Sequence, residues 1–121
     1  MEVTSFLFYF APIIGLGTFV IGILAVLRPQ PMSKKFGVIA NDSAFPYVMS
    51  TGIRDVFIGL TVLILFYNKS WTLLGLINFC ISIVAISDFL VVLKHGDKKT
   101  SFAHLFGAIL VATYGVWLIC Q

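Results

Sequence analysis

Four ionisable side chains lie inside apolar stretches of this sequence: Arg54, Asp55, Asp88 and His104. Each stretch is long enough to cross a bilayer, where a charged side chain costs free energy and is normally paired. A carboxylate can accept a proton, a carboxylic acid can donate one, and a guanidinium sets the ionisation state of both. We therefore predict an acid–base site. Asp55 and Asp88 share the base and acid roles, Arg54 orients them and stabilises an oxyanion, and His104 relays a proton or binds the substrate oxygen.

The same four side chains also fit a structural role. An Arg54–Asp88 ion pair would hold two helices together, with His104 bonded to a backbone carbonyl. A structural role needs only one ion pair, whereas the sequence supplies two carboxylates, one guanidinium and one imidazole. This set therefore favours a functional site. Asp55, Asp88 and His104 also have the donor types that iron and zinc accept. The guanidinium beside them disfavours a cation, and we expect neither a metal nor another cofactor.

Five further polar residues are predicted to bind the substrate. Two precede the arginine by seven and three residues and extend its helix face toward the cytoplasm. Two lie deeper in the third apolar stretch, and one lies at the predicted mouth of the site. They are Tyr47, Thr51, Asn78, Ser82 and Asn41.

The composition indicates a membrane protein. Of the 121 residues, 60% are hydrophobic and 11% are charged, whereas soluble domains contain about 25% charged residues. We predict an all-α integral membrane protein with a single domain over residues 1–121. Its four antiparallel helices, in an up-down-up-down bundle, cover about 5–27, 46–67, 71–93 and 101–120, with an interfacial loop over about 28–45. The first stretch is not expected to be a secretory signal, because Glu2 precedes it without a lysine or arginine.

Basic residues predict the orientation. They concentrate in the first and third loops, which we therefore place in the cytoplasm, with both chain ends on the other side. The net charge of +3 is thus a topology signal, and no nucleic-acid partner is expected. In the first loop, Lys34 and Lys35 beside Phe36 fit a short helix at the interface, with an ordinary loop as the equal alternative, and we expect this segment to act as a lid. Thr100 or Ser101 is expected to cap the fourth helix.

Small residues recur on the predicted helix faces and indicate close helix contacts. They form the pairs Gly15 and Gly22, Gly52 and Gly59, and Ala108 and Ala112. A shallow site in so small a bundle favours a homodimer, in which a neighbour seals the cavity. The other expected partners are the lipid bilayer, of a bacterial inner membrane or of the endoplasmic reticulum, and a lipophilic small-molecule substrate.

Several of these residues also carry a resemblance. The segment Gly52-Ile53-Arg54-Asp55, followed by Gly59, Asp88, His104, Gly107 and Ala108, resembles a family of small four-helix membrane proteins of unknown function. That family is loosely similar to the DoxX-like membrane proteins. Some proteins of this general appearance accompany polyketide or terpenoid biosynthesis, where small membrane proteins act as cyclases, isomerases or epoxide-opening hydrolases. The resemblance implies an enzyme of lipophilic metabolites. The DoxX-like relatives imply the alternative, a non-catalytic accessory subunit that binds a lipid or a quinone.

Overall fold

A computed structural model of the chain describes residues 3–37 and 45–121, and within them it is built from six helices. The helices are α1 (Val3–Phe8), α2 (Phe10–Leu27), α3 (Pro29–Phe36), α4 (Phe45–Tyr67), α5 (Trp71–His95) and α6 (Lys98–Ile119). Four segments are long and apolar enough to cross a membrane: Phe6–Leu27, Pro46–Tyr67, Trp71–His95 and Lys98–Ile119. The predicted class, an all-α membrane protein with four spanning helices, is confirmed.

Glycines join α2 to α4. A Cβ placed on Gly22 would lie 2.5 Å from the carbonyl oxygen of Gly52, and one on Gly59 would lie 2.5 Å from that of Gly15. The partners descend along one helix as they ascend along the other, so the two helices are antiparallel. Each glycine pair on a helix is seven residues apart, the repeat that keeps one seam facing its neighbour. The predicted close contacts at these four glycines are confirmed.

A second seam joins α5 to α6. A Cβ on Gly75 would lie 2.7 Å from the carbonyl oxygen of Gly115. Ser101, Ala108 and Gly115 recur every seven residues on α6, and all three are buried. Small residues let helix backbones approach closely, and in lipid this packing replaces the hydrophobic drive between helices. Most backbone contacts therefore lie within two pairs, α2 with α4 and α5 with α6.

The two pairs meet around a small apolar core. Ala11, Val62, Leu74 and Leu118 are fully buried there, one from each spanning helix. Aromatic rings close the core at the end that carries the α4–α5 turn. The ring of Phe8 lies 4.5 Å from that of Trp71 and 4.9 Å from that of Trp117, measured between centroids.

A hydroxyl group is inserted into the first spanning helix where α1 gives way to α2. Pro12 has no N–H and its ring opposes the carbonyl four residues earlier, which disturbs a regular helix. At this break the Tyr114 hydroxyl donates to the Leu7 carbonyl at 2.7 Å and accepts from the Ala11 N–H at 3.1 Å. In an unbroken helix these two backbone groups would bond to each other. Tyr114 therefore replaces that bond and ties α6 to the first helix.

The start of α6 differs from the prediction. Its N-cap is Asp97, and not Thr100 or Ser101. The Asp97 carboxylate accepts from the Lys99 N–H at 3.2 Å and from the Thr100 hydroxyl at 2.9 Å. Aspartate is as good a cap as serine and stands earlier in the chain, so it begins the helix and threonine becomes its partner. These hydrogen bonds, that of Thr100 first, lower the pKa of Asp97.

Of the two alternatives for the segment between the first two spans, the structure has the short helix, as α3. Pro29 and Pro31 lie in its first turn, where a missing N–H has no cost, so the prolines begin a helix as well as ending one. Lys34 and Lys35 are exposed on it, whereas Ser33 is buried.

The glycine seams generate a stability prediction. Gly59→Ala places a methyl group against the α2 backbone, so it should lower the free energy of unfolding by about 1–3 kcal/mol. Gly17→Ala is the matched control, because a Cβ there meets nothing within 4 Å, and it should leave stability unchanged or slightly raised. Unfolding by dodecyl sulfate in mixed micelles, followed by circular dichroism, measures both. Equal effects of the two substitutions would contradict the seam.

The orientation can be tested by cysteine labelling. Lys35 and Lys98 are exposed, so Lys35→Cys and Lys98→Cys, in a chain with Cys80→Ala and Cys120→Ala, present reactive thiols. A membrane-impermeant maleimide should label both sites in inverted vesicles and neither in right-side-out vesicles. Labelling of either site only in right-side-out vesicles would reverse the predicted topology.

Candidate functional site

One arginine joins two carboxylates from different helices. On α4, Nη2 of Arg54 lies 3.2 Å from Oδ1 of Asp55, and it lies 3.3 Å from Oδ2 of Asp88 on α5. Nε donates to Asp55 at 3.3 Å, and Nη1 donates to Asp88 at 3.5 Å. Each carboxylate therefore faces two nitrogens of the guanidinium fork, a geometry that suits arginine and not lysine. We call Arg54, Asp55 and Asp88 the charged cluster.

The charged cluster is partly exposed. The Arg54 side chain is 35% exposed and each carboxylate side chain is 16% exposed. With both carboxylates ionised, two negative charges face one positive charge. A proton, or a hydrogen-bond donor on a bound molecule, would offset the excess negative charge. Such an arrangement can hold one carboxyl group as an acid beside a second that acts as a base.

His104 lies beside the charged cluster and not inside it. Its Nε2 is 3.1 Å from the carbonyl oxygen of Phe36, and the two rings are 4.8 Å apart. A carbonyl only accepts, so Nε2 carries the hydrogen and Nδ1 is the nitrogen left to exchange a proton. His104 lies at about the same depth as Asp88, because the contact between Gly75 and Gly115 sets the register of the antiparallel helices α5 and α6. This position is compatible with a proton relay and equally with the structural alternative, which also placed His104 on a backbone carbonyl.

The end of α3 packs against the beginning of α6, next to His104. Gly37 adopts a left-handed conformation with φ of 104°, which favours glycine. Its carbonyl accepts from the Asp97 N–H at 3.0 Å, and a Cβ added to it would lie 2.8 Å from Thr100. The carbonyls of Phe36 and Gly37 thus fasten α3 to the beginning of α6. The placement fits the predicted lid, whose motion stays a prediction.

The predicted substrate-binding residues are dispersed. Tyr47 is 76% exposed, and Thr51 donates to the Tyr47 carbonyl at 3.1 Å. Asn78 and Ser82 are buried and donate to the carbonyls of Leu74 and Phe79 on their own helix. They lie about 15 Å and 9 Å from Asp88 along α5, so the structure does not place them at the charged cluster. Asn41 lies outside the described residues.

Asn78 keeps one unsatisfied atom. Its Oδ1 is buried and has no hydrogen-bond partner among the described residues. The side chain lies at the α5–α6 seam, where Asn78 Cβ would be 3.2 Å from a Cβ on Gly115. Within residues 3–37 and 45–121, no group of three histidine, cysteine, aspartate or glutamate side chains could hold a metal ion.

A groove between the first and last spanning helices was not predicted. It has a volume of about 540 Å³ and is lined by Leu7, Phe10, Ile14, Gly107, Leu110, Val111, Thr113, Tyr114 and Trp117. We call it the α2–α6 groove. Apart from Thr113 and Tyr114, its lining residues are ordinary apolar residues of spanning helices. Only Pro12, near the start of the first spanning segment, signals an irregularity there.

The fold and the charged cluster define a class: a small four-helix integral membrane protein with a paired cluster of charges inside its spans. Residues 15–118 match the family described as Domain of unknown function (DUF4267), and the chain belongs to that family. No curated protein and no solved structure matches the chain. The predicted membership of a family of small four-helix membrane proteins of unknown function is confirmed, and the likeness to DoxX-like proteins stays a prediction.

The charged cluster predicts a specific double-mutant result. Arg54→Met leaves two carboxylates without their cation. It should lower the free energy of unfolding by about 1–3 kcal/mol, less than for a fully buried pair because Arg54 is partly exposed. Adding Asp88→Asn should recover part of this loss, with a coupling of about 0.5–3 kcal/mol. Unfolding by dodecyl sulfate measures the free energy of unfolding of the wild type, the two single variants and the double variant.

Lys94→Met is the control for the loss of a positive charge, since Lys94 is exposed near the end of α5. It should have little effect on unfolding. Strict additivity of Arg54→Met and Asp88→Asn would show that the two side chains do not interact in the membrane.

Proposed function

We propose that this protein is an intramembrane acid–base enzyme that acts on a lipophilic small molecule, as an isomerase, a cyclase or an epoxide-opening hydrolase. The observation that carries the proposal is the position of Arg54, which donates to Asp55 and Asp88 at a partly exposed point inside the spans. Carboxylates from two helices are thereby held side by side, within reach of one bound molecule.

The three reaction types need the same pair of groups, one acid and one base. In epoxide opening, one carboxylate takes a proton from water as the water oxygen attacks a ring carbon and the carbon–oxygen bond breaks. The other carboxyl group gives its proton to the departing oxygen, so the number of protons on the pair is unchanged. Isomerisation and cyclisation use the same donation at one atom and removal at another. Arg54 holds both groups and stabilises negative charge on oxygen.

His104 completes the acid–base equipment. Its Nε2–H is held by the Phe36 carbonyl, which fixes the ring and leaves Nδ1 to accept a proton and, once protonated, to donate to the substrate oxygen. The substrate is lipophilic because the charged cluster lies inside a spanning segment, where a molecule dissolved in the bilayer meets it directly.

A second candidate function is a non-catalytic subunit that binds a lipid or a quinone. The Arg54–Asp88 pair and the bond from His104 to a backbone carbonyl favour it, because both match a structural pin. Asp55 favours the enzyme, because a structural Arg54–Asp88 ion pair does not require a second carboxylate, yet Asp55 accepts from the same guanidinium.

Turnover of defined probes tests the proposal. Purified protein in nanodiscs receives a long-chain alkyl epoxide, an apolar unsaturated ketone and a polyene with a terminal epoxide, one for each reaction type. Asp88→Asn should lower the turnover of the accepted probe by about 10²-fold or more while the protein stays folded. Asp97→Asn is the matched control, because this carboxylate is exposed at the start of α6 and asparagine also caps helices.

Two results would contradict the proposal. Turnover by Asp88→Asn at the wild-type rate would remove Asp88 from catalysis. Absence of turnover of all three probes by folded wild-type protein would favour the accessory subunit.

A further inference from the structure

The α2–α6 groove lies in the half of the bundle away from the charged cluster. On α6 its lining runs from Gly107 to Trp117, and on the first spanning segment from Leu7 to Ile14. Ten residues of helix correspond to about 15 Å, so the groove is elongated. Its volume of about 540 Å³ falls within the range of small-molecule sites, about 300–1,000 Å³.

The surface of the groove is almost entirely apolar. The Thr113 hydroxyl donates to the Ile109 carbonyl at 2.8 Å. The Tyr114 hydroxyl donates to Leu7 and accepts from Ala11. Both hydroxyls are therefore bonded to backbone groups, and the indole N–H of Trp117 is the one other polar group that the lining side chains carry. A ligand of this groove presents hydrocarbon to it and keeps any polar group elsewhere.

The groove is aligned with the candidate site. His104, Gly107, Val111 and Tyr114 are spaced three, four and three residues apart, which puts them on one face of α6. Gly107 is about 4.5 Å from His104 along the helix axis. One end of the groove therefore points along this face to His104, which the α5–α6 register places at about the depth of Asp88.

Gly107 keeps that end of the groove open. A Cβ added to it would meet nothing within 4 Å, so the glycine is not required for close helix packing. Gly75 and Gly115, by contrast, are held against opposite backbones. Gly107 is the lining residue nearest to His104 along α6, and its missing side chain leaves that end of the groove unfilled.

We propose that the α2–α6 groove holds the apolar chain of the substrate whose polar end is processed at the charged cluster. The inference rests on the proposed function and specifies the substrate class: an elongated molecule with an unsubstituted hydrocarbon chain and an oxygen function at one end. Lipid tails are as apolar as the groove, so moving the substrate chain from the bilayer into the groove gains little binding free energy. Its effect is orientation, which directs the oxygen function to the carboxylates.

Photolabelling tests the groove without depending on turnover. The probe is a long-chain alkyl epoxide with a diazirine near the end of the chain, added to protein in nanodiscs, and the labelled residues are identified by mass spectrometry. Label should concentrate on lining residues such as Leu110 and Trp117. Gly107→Leu, which fills the groove, should reduce this label about tenfold or more.

Gly17→Leu is the matched control, because it adds the same atoms at another open glycine that is not among the lining residues. It should leave the labelling unchanged. Val111→Phe fills the same groove from its middle and replaces Gly107→Leu if that variant does not fold. Label spread evenly over exposed positions such as Ile83, and insensitive to both groove variants, would overturn the proposal.

Kinetics separate this inference from the proposed function. Gly107→Leu should lower kcat/KM for the long-chain epoxide by about tenfold or more and leave a short-chain epoxide unaffected. Unchanged long-chain turnover in Gly107→Leu, with turnover lost in Asp88→Asn, would overturn the groove and leave the acid–base site standing. Unchanged turnover in Asp88→Asn would instead overturn the proposed function, whatever the result for Gly107→Leu.

Discussion

The cost of charge inside a membrane is the constraint on which this structure depends. Arg54 is tolerated there because it donates to Asp55 on its own helix and to Asp88 on the next one. The covalent α4–α5 turn, at residues 68–70, lies about 20 Å away along α4. The charged cluster therefore holds the two helix pairs together at the end opposite their connection. The His104–Phe36 and Asp97–Gly37 bonds add ties at that same end.

Two kinds of contact hold the bundle together. Within each pair, glycine seams bring backbones into direct contact and leave no space for a ligand. Between the pairs, the contacts are polar ties at one end, and at the other end the Tyr114 hydroxyl with a small apolar core. Space remains where the seams are absent, along α2 and α6. Ligand sites of helical bundles lie between helices in this way, and here the groove and the charged cluster both lie between the pairs.

The predictable features were those encoded in residue type and spacing. Four apolar stretches predicted the spans. Glycines seven residues apart predicted close helix contacts but not their partners, and opposite charges offered the Arg54–Asp88 pair as the structural alternative. The faces of Asn78 and Ser82 could not be read, because α5 is apolar nearly all round and has no polar side to orient it. The partners of His104 and Tyr114 are backbone groups, which every residue carries, so no sequence pattern marks them. Asp97 displaced Thr100 as the cap because several competent residues stand in a row.

The pairing of Arg54 with both carboxylates can be measured directly in a bilayer. Solid-state NMR on protein with ¹⁵N-labelled arginine and ¹³C-labelled aspartate detects dipolar coupling between guanidinium nitrogens and carboxyl carbons. The contacts of 3.2 Å and 3.3 Å predict strong dephasing of two aspartate carboxyl signals, of which one disappears in Asp55→Asn and the other in Asp88→Asn. Coupling to one aspartate alone would reduce the charged cluster to a simple ion pair. Absence of coupling to either would contradict the account.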